Sequence, residues 1–132
     1  MELNINSPAY FSDRYGVDDE VYEFCRKLYS FFKDKEYSDT LHTIGILPVV
    51  APEESYESGA WKESVQIIGN KSCAIVTLRI NFNEYYVADS YGKNLLIKDA
   101  VAKAAKKIKS KVNFNYESFL QALNQFSESY QF

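Results

Sequence analysis

A chain of 132 residues, 46% hydrophobic and 25% charged, has the size and balance of one domain with its own core, which excludes an intrinsically disordered chain. The net charge of −3 hides an uneven distribution: from Lys93 to Lys111 seven lysines stand against one acid, Asp99, giving +6 there and leaving −9 for the rest. The longest apolar runs are only a few residues, which excludes a transmembrane helix, and Met1 to Ser7 has neither the basic nor the apolar region of a signal peptide, so a cytoplasmic protein is expected.

Residues 2–5 alternate polar and apolar and predict a short strand, followed by a loop bounded by Pro8 and Gly16. The first helix is expected from about Asp18 to Asp34. Acids fill its first turn and lysines its last, as the helix dipole favours. Val21, Phe24, Cys25, Leu28, Phe31 and Phe32 recur at helical spacing as its buried stripe. From Thr40 to Val50 apolar residues occupy both faces of a predicted strand, which suits a central or doubly covered position, while Pro48 and Pro52 suit an edge or bulge at its end.

The acidic segment Glu53 to Gly59 reads as an exposed connection. A strand is predicted over Trp61 to Ile68, a turn at Gly69-Asn70-Lys71, and a further strand over Cys73 to Phe82 with Ala74, Val76, Leu78, Ile80 and Phe82 on its inner face. A short turn capped by Asn83-Glu84 follows, then a helix from about Tyr91 to Lys109 with Ile97, Val101, Ala104, Ala105 and Ile108 inward. Asn115 is placed to cap a last helix whose inward residues are Phe119, Leu120, Leu123 and Phe126. The order strand, helix, three strands, helices predicts a single α+β domain over residues 1–132. Its expected form is an antiparallel sheet of about four strands with about three helices packed mainly on one face.

The residues offer little to catalysis. A single histidine, His42, removes histidine-based metal sites, and a lone strand histidine is ordinarily a part-buried structural residue. Cys25 and Cys73 lie far apart among apolar neighbours, which suits buried free thiols in a reducing compartment. Five scattered glycines build no phosphate cradle. No enzyme activity, cofactor or metal is therefore expected.

Binding chemistry is better represented. Aromatic residues reach 16%, with 11 Tyr, and tyrosine suits contact surfaces as well as cores. Asp18, Asp19, Glu20 and Glu23, with Glu53, Glu54 and Glu57, could meet a basic partner, set against the reading that they are ordinary solvated acids. The lysine-rich stretch 93–111 could neutralise phosphates in a nucleic-acid-associated protein. It holds no arginine and few aromatics, the isoelectric point is near 5.2, and a lysine face on a helix is ordinarily solvated.

The block Asn4-Ile5-Asn6-Ser7-Pro8-Ala9-Tyr10-Phe11, continuing through Tyr15-Gly16-Val17-Asp18-Asp19-Glu20-Val21-Tyr22, resembles a known family. So do Asp39-Thr40 through Ile44-Gly45-Ile46 to Ala51-Pro52, and Phe82, Tyr85, Ala88-Asp89 and Gly92-Lys93. Together they resemble the immunity proteins of bacterial polymorphic toxin systems, in the immunity protein 44 family. The resemblance implies a small cytoplasmic protein that binds and neutralises a cognate toxin. Many such toxins are nucleases with basic clefts that an acidic surface could occlude. No residue-level contacts carry over from the family pattern.

Overall fold

The computed structural model describes residues 1–6, 9–10, 21–52 and 62–129. Along the chain these form β1 (Glu2–Ile5), β2 (Ala9–Tyr10), α1 (Tyr22–Phe32), β3 (Thr43–Ala51), β4 (Ser64–Ile68), β5 (Cys73–Asn81), α2 (Phe82–Val87), α3 (Ser90–Lys109) and α4 (Tyr116–Ser129). The sheet runs β1-β3-β5-β4, and the two-residue β2 pairs with β3 farther along the same side as β1.

The α+β class holds, but the sheet is mixed rather than antiparallel, and among the described residues four helices stand where about three were expected. β1 pairs with β3 in parallel, β3 with β5 in parallel, and β4 with β5 antiparallel. The cause lies in two connections. Helix α1 carries the chain back to the amino end of β1, so β3 starts beside Glu2 and runs the same way. The turn after β4 then sends β5 into the interior position beside β3. β5 is apolar enough for that place, whereas β4 carries Ser64 and Gln66 and takes the edge. A meander reading makes consecutive strands neighbours; β3 and β4 are not.

Pro48 lies inside an interior strand, opposite Leu78. Asn6 donates to the Ile46 carbonyl at 3.0 Å, so the backbone groups of Ile46, and of residue 48 two positions on, face β1. The missing N–H of Pro48 therefore points to the β1 side of the strand and takes nothing from the ladder with β5.

All the described long helices cover one face of the sheet. Leu3, Ile44, Ile46, Val50, Ala74, Val76, Leu78 and Ile80 are buried beneath them. From above, α1 supplies Phe24, Cys25, Leu28 and Phe32; α3 supplies Ile97, Val101, Ala104, Ala105 and Ile108; α4 supplies Phe119, Ala122, Leu123 and Phe126. Phe32 stacks on Phe119 at 4.8 Å, and Phe24 meets Phe126 edge-on at 5.6 Å, which ties α1 to α4. On the other face Leu47, Val49, Cys73, Ile75 and Thr77 are half-buried, so β3 is central without a second helical layer among the described residues.

Side chains fix the helix ends. Asn115 Oδ1 accepts from the Ser118 N–H at 3.2 Å, the cap expected from the sequence. Asn81 rather than Asn83 caps α2, accepting from Glu84, and Asp89 caps α3, accepting from Gly92 at 2.8 Å. At the end of α1 the Met1 ammonium donates to the carbonyls of Lys33 at 3.0 Å and Lys35 at 2.6 Å and meets Glu36 Oε1 at 3.1 Å, a positive charge against carbonyls that the helix leaves unpaired. The turn between β4 and β5 holds Gly69, Asn70 and Lys71 at φ of 62°, 55° and 69°. A Cβ on Gly69 would lie 2.6 Å from Ser72 Oγ, so glycine suits the left-handed backbone there and leaves room for that hydroxyl.

Candidate partner-binding surface

Because β1, β3 and β5 are parallel, their carboxyl ends share one end of the sheet. Tyr10 pairs with Val50 there, Ala51 pairs with Asn81, and α2 begins at Phe82 directly afterwards. Helix α1 runs the opposite way. Its last turn reaches Met1 at the amino end of β1, so Val21 and Glu23 begin it at the carboxyl end.

Six of the seven acids expected to contact a partner, Asp18, Asp19, Glu20, Glu53, Glu54 and Glu57, lie outside the described residues, as does Trp61. The described residues that precede those segments, Tyr10 and Pro52, stand at this same carboxyl end.

Glu23 is described and is not a solitary acid. Arg26 grips its carboxylate with both arms, Nη2 to Oε1 at 2.7 Å and Nε to Oε2 at 3.0 Å, while Lys27 Nζ lies 4.0 Å away. The Arg26 hydrogen bond holds the Glu23 carboxyl below its usual range. The pair is solvent-exposed, and what Glu23 presents outward is a local dipole rather than a free negative charge. Its partners were legible at i+3 and i+4.

Beside that pair lies an open groove of about 520 Å³ between β1 and α1, lined by Leu3, Asn4, Ile5, Asn6, Tyr22, Cys25, Arg26 and Tyr29. Tyr22 is exposed at its rim. Burial pushes the Cys25 thiol up to about 12, so it is no nucleophile at neutral pH.

The lysines of α3 are partly engaged within the molecule. Lys107 Nζ lies 3.6 Å from Glu63 Oε1, and Lys109 Nζ lies 4.0 Å from Glu117 and 5.3 Å from the centre of the Tyr116 ring. Lys93 sits over Tyr85 at 5.1 Å. His42, expected part-buried within a strand, precedes β3 instead with its side chain exposed, and Nδ1 lies 3.3 Å from Glu36. Among the described residues no three of His, Cys, Asp and Glu come together as metal ligands. Among the described residues no helix is long and apolar enough to cross a membrane.

The short turn expected after Asn83-Glu84 is helix α2, which carries two adjacent tyrosines, Tyr85 and Tyr86. The structure separates them: Tyr85 is fully buried, while Tyr86 and its neighbour Val87 project outward. Adjacent residues on a helix lie about 100° apart, so in a helix as short as α2 the burial of Tyr85 turns Tyr86 toward solvent.

Fold and surface define the class: a small α+β domain with a mixed sheet, helices on one face, and charged and aromatic features around the carboxyl ends of its parallel strands. A family model described as immunity protein 44 matches residues 1–129, and the chain belongs to that family, as its N-terminal and central motifs suggested. No curated protein and no solved structure matches the chain.

Proposed function

We propose that this chain is an immunity protein that binds and neutralises a cognate bacterial toxin of a polymorphic toxin system, by steric and electrostatic blockade and without catalysis of its own. The observation that carries the reading is the family match over residues 1–129. The charge distribution supports it: outside the lysine stretch the chain carries −9, which suits a toxin with a basic cleft, such as a nuclease. The site of action is the cytoplasm.

The rival reading, a nucleic-acid-associated protein using Lys93 to Lys111, loses ground because Lys93, Lys107 and Lys109 already have partners within the fold. Co-expression of the chain with the toxin encoded by the upstream gene tests the proposal. Cells survive if it is right. Death at a toxin dose that matched expression of the chain should cover sinks it.

A further inference from the structure

Among the described residues the large hydrophobic side chains that stand well out of the surface are Tyr22, Ile68, Tyr86, Val87 and Tyr91. Three of the five fall within six residues at the junction of α2 and α3. Tyr86 is 69% exposed, Val87 80% and Tyr91 50%. Scattered exposed apolar residues need no explanation, but three gathered on one short segment do.

The anchoring of α2 does not require Tyr86 and Val87 there. α2 is anchored by buried Tyr85 and by the Asn81 cap, and neither uses Tyr86 or Val87. Tyr86 instead stacks on Phe82, ring centres 5.7 Å apart and planes within 15°. Phe82 packs against the core, so the stack holds an exposed tyrosine ring in a fixed position. Val87 ends α2, Ala88 is extended, and Asp89 caps α3, so the backbone on both sides is set before any partner arrives. A preorganised ridge of tyrosine loses little conformational freedom on binding.

We propose that the ridge Tyr86-Val87-Tyr91 is the anchor by which this chain grips its protein partner, and that the partner presents an apolar pocket rimmed by basic groups. The inference rests on the toxin-neutralising reading above. The basic rim follows from the exposed acids flanking the ridge, Glu84 and Asp89, with Lys93 held over the Tyr85 ring. The ridge stands where β5 gives way to α2, the same end of the sheet as Tyr10 and Pro52.

The test titrates a catalytically inactivated toxin domain, encoded by the upstream gene, into the full chain and into its Tyr86→Ala, Val87→Asp and Lys106→Ala variants. The expected result is binding weakened about thirtyfold or more by Tyr86→Ala and by Val87→Asp, with Lys106→Ala unchanged. Val87→Asp keeps the test decisive if loss of the Phe82 stack unfolds Tyr86→Ala, because Val87 is 80% exposed. Wild-type binding with Val87→Asp within about threefold of it overturns the ridge while leaving the toxin reading intact. A wild-type chain that does not bind overturns the toxin reading and the ridge with it. Self-association of the wild type, abolished by Val87→Asp, also overturns the proposal by making a second copy the occupant.

Discussion

Phe119→Ala is the sharpest test of how α4 is seated. Phe119 is 1% exposed and stacks on Phe32 at 4.8 Å, with Tyr37 at 5.4 Å and Phe114 at 5.5 Å from its ring centre. Those rings come from α1, the segment after it and the connection before α4, so one side chain joins three parts of the chain. Truncating a buried phenylalanine costs about 3–5 kcal/mol, and a ring held in this many aromatic contacts belongs toward the upper part of that range. Against a typical total stability of about 5–15 kcal/mol, the loss is a large fraction. For a domain of this size it corresponds to a fall in Tm of roughly 14–18 °C. Phe119→Leu keeps most of the volume and is expected to lose only about 1–1.5 kcal/mol. Urea unfolding followed by far-UV circular dichroism measures both changes. A loss below about 1.5 kcal/mol for the alanine variant would mean that the cluster does not hold α4 as described.

Asp89→Ala and Asn115→Ala each remove a cap, and each is expected to cost about 1 kcal/mol in the same assay without changing its slope. Cys73, half-buried on the uncovered sheet face, is expected to react with a thiol reagent at pH 8 well before Cys25. A fast phase surviving in Cys73→Ser would contradict that order. The same burial has an alkaline signature. The unfolded Cys25 thiol ionises near its ordinary 9.0 and the folded one only near about 12, so the stability it contributes is full below 9.0 and is lost across that interval. Glu36 gives the opposite signature. Its carboxyl is held low first by the Met1 ammonium and then by His42, so its contribution is full above its ordinary 4.5 and is lost as pH falls through the lowered value. Glu36→Gln is expected to flatten the acid limb of a stability-versus-pH curve, and an unchanged limb would refute the assignment.

Local signals in the sequence carried over well where one residue decides one feature. The stripe of α1, the Asn115 cap and the glycine turn after β4 all stand where their chemistry placed them. Strand pairing did not carry over, because parallel or antiparallel register depends on which neighbour a strand finds after a long connection, and alternation along one strand is blind to that. Pro48 shows the same limit: it is tolerated in an interior strand because its nitrogen faces away from β5, which depends on the register. For the surface, net charge by segment was legible, but the capture of Glu23 by Arg26 was passed over although their spacing displays it. The exposure of Tyr86 required knowing which side of α2 meets the core, and buried Tyr85 settles that.

The most direct measurement of the central claim is a calorimetric titration of the purified chain against the purified, inactivated toxin domain, paired with an assay of the active toxin under the same conditions. The account predicts a saturable complex and inhibition that tracks the fraction of toxin bound. Full toxin activity in the presence of excess chain would contradict it.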